Sequence, residues 1–115
     1  MNSYRTRFTC SREIQYEVDE NGILTFVKFV GGCAGNTICD IGIIDPSVPL
    51  KCIGRVGCDS DGEFVINTLK RCGIDTTFVK KTEGTVTSFT DVMAALDTNE
   101  RTFFHARGAN AVFDI

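Results

Sequence analysis

The sequence predicts an α/β fold, with part of a parallel-sheet core and a small antiparallel β lid. Three observations carry that expectation. Apolar strand-like runs alternate with helix-like segments through the middle of the chain, at 23–30, 37–44, 50–56, 64–72 and 78–79. A strand–helix–strand–helix–strand order favours a right-handed parallel βαβ arrangement. The pattern then changes: residues 85–97 alternate as one long strand and 101–106 return, which reads as an antiparallel hairpin. Between the first central strand and its helix lies a small-residue turn, Gly31-Gly32-Cys33-Ala34-Gly35-Asn36.

Taken in order, residues 8–18 read as a strand, and Asp19-Glu20-Asn21-Gly22 supplies an Asn-Gly turn into the strand at 23–30. The glycine-rich turn lets backbone N–H groups approach a polar ligand without Cβ interference. Asn36 is placed to cap the following helix and to offer its amide to a ligand. A tight turn with an N-cap and no ligand is the plainer reading of this stretch. It contains no lysine, so it is not a Walker loop, and no Gly-x-Gly-x-x-Gly is present.

Ile38, Ile41 and Ile44 share one helix face, and Asp45-Pro46-Ser47-Val48-Pro49 stops that helix. Residues 50–56 form a short apolar strand and 57–62 a turn, with Ser60 or Asp61 as the cap of the second helix. Phe64, Val65, Thr68, Leu69 and Cys72 give that helix its apolar stripe, and Gly73 ends it. After the hairpin, Gly108-Ala109-Asn110 forms another small-residue turn. The sequence stops soon afterwards at Ile115, where a further element is expected, so it reads as cut short.

The bulk properties narrow the function. A length of 115 residues fits one domain with a modest core. Net charge is −3, and Lys70-Arg71 and Lys80-Lys81 are isolated pairs, so nucleic acid is not an expected partner. The first ten residues carry arginines but no apolar stretch, unlike a signal peptide. No run approaches the roughly 20 apolar residues of a membrane helix. The expected compartment is therefore the cytoplasm, where thiols stay reduced. Six cysteines include the repeated spacings Cys33/Cys39 and Cys52/Cys58, but no C-x-x-C occurs and His105 is the lone histidine. Free thiols without metal are expected.

Four stretches together resemble the ribokinase-like (PfkB) carbohydrate kinase family. They are GGCAGN at 31–36, IGRVGCDSDGEF at 53–64, LKRCGID at 69–75 with Thr85-Val86-Thr87 following, and ERTFFHARGAN at 100–110. Their order matches the amino-terminal part of such kinases over nearly the whole chain from about Phe8. The resemblance implies a three-layer α/β core whose β lid closes over a sugar, with lid strands within 8–30 and 85–106. It implies that Gly31 and Gly32 bring backbone close to the sugar and that Asn36 pairs with its hydroxyls, with Asn110 also at the substrate. Glu17 falls where a sugar-binding aspartate usually sits, although Arg12 replaces a glycine of that motif and Glu is one methylene longer. Arg107 aligns with a position that in some members meets an acidic or phosphorylated substrate, and Phe89 is placed to pack on the sugar face. A surface glutamate, a lid-surface arginine and a lid–base packing contact are the respective alternatives.

The family's Asp-Thr-x-Gly-Ala-Gly-Asp motif, which carries the catalytic base and the anion loop, does not occur in this sequence. No catalytic residue is therefore assigned, and Asp59, Asp61 and Asp91 sit in other contexts. ATP and magnesium are expected for the full-length kinase, with neither bound by this chain alone. A nucleoside kinase and a non-catalytic α/β sugar-binding module are the alternative functions. Exposed lid strands or a cut sheet edge are expected to drive dimers or larger assemblies.

Overall fold

The computed structural model describes residues 2–5, 13–18, 20, 24–30, 33–95, 97–98 and 100–114. In chain order these form β1 (Asn2–Arg5), β2 (Glu13–Val18), β3 (Leu24–Val30), α1 (Cys33–Ile44), β4 (Lys51–Gly57), α2 (Ser60–Arg71), β5 (Asp75–Thr82), β6 (Phe89–Ala94) and β7 (Arg101–Ala106). A short 3-10 helix, Gly108–Val112, follows. Two sheets result. One is five-stranded and antiparallel, in the order β1-β2-β3-β6-β7; the other is the parallel pair β4-β5.

This corrects one expectation of the sequence. The strand at 23–30 reads as the first member of the parallel core, yet β3 lies in the lid sheet. Its two edges are taken by β2, the preceding strand, and by β6, through pairs such as Val27 with Tyr16 and with Val92. No edge of β3 is left for β4. Strands β2 and β3 lie within 8–30 and β6 and β7 within 85–106, and β1 joins the same sheet from outside those ranges.

The core lies where α1 and α2 pack on the parallel pair. Cys39, Leu69 and Ile74 form its buried centre, with Ile38, Leu50, Cys52, Val65, Cys72 and Val79 packed against it. Burying a side chain the size of Leu69 contributes roughly 1.5–3 kcal/mol. Helix α2 is well specified: Asp61 and Glu63 occupy its first turn, Lys70 and Arg71 its last, each favourable to the helix dipole. Gly73 ends the helix with φ +76, and Ile74 N–H closes on Leu69 O at 3.1 Å.

Both expected helix caps shift. The α1 helix begins at Cys33, so Asn36 lies within its first turn rather than at its N-cap. The cap of α2 is Asp59, in extended backbone, rather than Ser60 or Asp61. The expected strand 85–97 is also shorter: only Phe89–Ala94 is strand. Residues before it are drawn into contacts with the β4–α2 turn.

Candidate functional site

A cavity of about 210 Å³ opens between the start of α1, strand β4, the chain leading into β6 and the 3-10 helix. Its apolar floor comes from Cys52, Val56, Val65, Leu69 and Val79, and its polar rim from Arg55, Thr87, Ser88 and Asn110. Gly35 and Gly54 also line it, and a methyl group on either would meet nothing within 4 Å. The Arg55 guanidinium donates to Thr82 Oγ1 at 3.3 Å, which holds the cation beside the rim. An apolar floor with a few convergent polar groups is the usual build of a small-molecule site.

Thr87 sits at the root of the lid and is buried. Its hydroxyl donates to Asp59 Oδ1 at 2.6 Å and accepts from Gly57 N–H at 2.9 Å, while its own N–H donates to Asp59 Oδ2 at 2.7 Å. Asp59 Oδ1 also accepts from Gly62 N–H at 2.8 Å, closing the first turn of α2. The backbones are in close contact here. A Cβ on Gly57 would stand 2.6–2.7 Å from Thr85 O, Thr87 N and Val86 C.

The residues singled out by sequence are distributed unevenly around this cavity. Asn110 lines it, and buried Asn36 follows directly on the lining residue Gly35. Phe89 is half-buried, opens β6 immediately after the lining residue Ser88, and pairs with Val30 and Ala106. Arg107 is exposed, between β7 and the 3-10 helix. Glu17 lies in β2 opposite Phe26 of β3. Gly31 and Gly32 lie outside the described residues.

Sequence reasoning missed Arg55, Ser88 and the Asp59–Thr87 contact. The signal for the last was present in Gly57-x-Asp59-x-x-Gly62, an acid at cap position between two glycines that admit close backbone. Cys39, Cys52, Cys58 and Cys72 are free thiols, and burial pushes the Cys52 thiol up. Among the described residues no group of three or more His, Cys, Asp or Glu is placed to hold a metal ion.

Comparison with known proteins agrees with this architecture. The pfkB family carbohydrate kinase pattern matches residues 6–115. The 5-dehydro-2-deoxygluconokinases of Geobacillus kaustophilus and Geobacillus thermodenitrificans are each 36% identical over 90 residues, covering 76% of this chain and 26% of theirs. The chain thus spans about a quarter of the length of those relatives. Among solved structures, ribokinase from Cryptococcus neoformans in complex with ADP superposes with a TM-score of 0.59 at 25% identity, over 70% of this chain and 24% of that one. Fructokinase from Xylella fastidiosa gives a TM-score of 0.67 at 21% identity, over 87% and 30%. With a ribokinase-like arrangement of strands and helices and a family match along nearly its whole length, this chain belongs to the pfkB family of carbohydrate kinases.

Proposed function

We propose that this chain supplies the sugar half-site and the lid of an ATP-dependent kinase that phosphorylates a sugar hydroxyl. The observation that carries the reading is the cavity, which brings Gly35 and Asn110 together at the root of the lid. In this reading the amides of Asn36 and Asn110 pair with sugar hydroxyls, and analogues lacking those hydroxyls leave polar groups unpaired and are rejected. Gly31 and Gly32 bring backbone to the sugar, Phe89 packs on its face, and Glu17 approaches from the lid sheet. Arg107 reads an acidic substituent with its planar fork. The 5-dehydro-2-deoxygluconokinase relatives make a sugar acid the first substrate class to test.

The Asp-Thr-x-Gly-Ala-Gly-Asp motif that carries the anion loop and catalytic base of this family does not occur in these 115 residues. No acidic cluster of metal-ligating size occurs among the described residues, and the glycine-rich stretch at 31–36 has no lysine. ATP, magnesium and the catalytic base are assigned to sequence outside these 115 residues, and the chain alone is expected to be inactive. Its compartment in this reading is the cytoplasm; among the described residues no helix is long and apolar enough to cross a membrane. Association through the lid belongs to the same proposal, because edge strand β7 exposes Phe103 and Phe104.

Two measurements test the function. Amide chemical shifts of the 115-residue chain, titrated with hexoses, pentoses, sugar acids and nucleosides, are expected to move at Gly35, Asn36, Ser88 and Asn110 with a sugar or sugar acid. No movement with any of these compounds overturns the half-site, and movement with nucleosides alone transfers it to the nucleoside kinases. ATP-dependent phosphorylation by this chain above an enzyme-free control would overturn the assignment of the catalytic groups elsewhere.

A further inference from the structure

We infer that Asp59 is a positioning residue for the lid: acting through Thr87, it fixes the point at which the chain leaves the core and enters β6. A carboxylate that only capped α2 would need one oxygen for Gly62 N–H. Here the second oxygen is committed to Thr87 N–H, and the first is shared with the Thr87 hydroxyl. That hydroxyl has its donor used by Asp59 and an acceptor position used by Gly57 N–H. Thr87 therefore joins the end of β4 and the start of α2 to the lid through three polar contacts, and only Ser88 separates it from β6.

The return from the lid is tied to the same point. Ala109 N–H donates to Val86 O at 2.8 Å, and Ala109 is fully buried. Gly108 has φ +49, and a Cβ there would stand 2.2 Å from Val86 O. The strand entering the lid and the strand leaving it are thus held at one place on the core, beside the cavity that Thr87, Ser88 and Asn110 line. Charge-assisted bonds to a carboxylate are shorter and stronger than neutral ones, so Asp59 is the strongest link in this junction. The consequence for catalysis, a lid held in register over the sugar, rests on the kinase reading; the junction does not.

The test is the orientation of lid relative to core, read from residual dipolar couplings of the 115-residue chain without sugar. Thr87→Val removes the hydroxyl and leaves the Asp59 cap of α2 in place; Asp59→Asn keeps one carbonyl oxygen for the cap but loses the charge; Thr87→Ser restores the hydroxyl. In the unmodified chain and in Thr87→Ser, one alignment tensor should fit β4–β5 and β6–β7 together. In Thr87→Val and Asp59→Asn the lid couplings should shrink about twofold relative to the core. A single tensor retained in Thr87→Val overturns the inference. So does loss of core and lid dispersion together in both variants, which would mark the contact as general stability only. Because no sugar is present, failure of the kinase reading leaves this result unaffected, and the sugar titration is equally blind to it.

Discussion

Helix α2 and the inner sides of α1 and the β4–β5 pair bury apolar residues against one another, although Ile43 and Ile44 at the end of α1 are exposed, whereas strand β7 of the lid shows its phenylalanines to solvent. Leu69 is 4% exposed and Cys39 1%, while Phe103 is 63% and Phe104 54% exposed. Even within the core the two sheet faces differ: Val56 and Val79 face the cavity, and Ile53 at 71% exposure pairs with exposed Phe78 on the outside. The difference separates two uses of hydrophobic residues. At the buried positions they supply stability by leaving water; at the exposed ones they remain apolar surface in contact with solvent.

Substitution at matched apolar positions breaks the comparison most sharply. Leu69→Ala should cost on the order of 2–5 kcal/mol in urea unfolding, because it empties a packed site. Phe103→Ser should change unfolding by no more than about 0.5 kcal/mol, the usual range for exposed sites. Light scattering should instead show Phe103→Ser reducing the assembled fraction. Equal losses of stability at the two positions would mean that the lid is packed as tightly as the core.

A second pair of variants sharpens the boundary between the regions. Gly57→Ala forces a methyl against three backbone atoms of residues 85–87 and should cost on the order of 1–3 kcal/mol. Gly54→Ala, also in β4, meets open space and should leave the urea midpoint nearly unchanged while reducing the cavity volume. If both are neutral, core and lid are not in close contact at Gly57.

The smallest effect is electrostatic and belongs to the core. The Thr77 hydroxyl and N–H, with Lys51 nearby, hold the Asp75 carboxyl below the ordinary carboxylate range. A group with a lowered folded pKa contributes above its unfolded value, about 3.9 for Asp, and that contribution fades as pH falls through the folded value. Urea midpoints measured from pH 6 to pH 2 should therefore decline less steeply in Asp75→Asn than in the unmodified chain. Identical slopes would remove Asp75 from the account.

The sequence made local features legible and left long-range pairing obscure. The stripe of α2, its stop at Gly73 and the strand at Arg101–Ala106 follow from spacing, since each depends on residues a few positions apart. The assignment of β3 to the lid does not, because an apolar strand looks the same whether its partner is parallel or antiparallel. Cap choice failed at α2 for a different reason: Asp59, Ser60 and Asp61 are all competent, and the deciding partner, Thr87, lies far along the chain. Around the cavity, the family motifs singled out Asn110, which lines it, and Asn36, which follows the lining residue Gly35. Arg55 belongs to no turn or cap pattern and entered only when β4 and the cavity were seen together.

The order of the lid strands has a consequence for how the chain folds. Strands β3 and β6 are neighbours in the sheet, yet α1, β4, α2 and β5 all lie between them in the chain. Joining them in an unfolded chain means closing a long loop before any contact rewards the loss of entropy. Once the intervening elements have condensed, that loop is already short. Pairing of β3 with β6 should therefore be a late event, with β2–β3 and β6–β7 forming as separate hairpins until the helices and β4–β5 have docked.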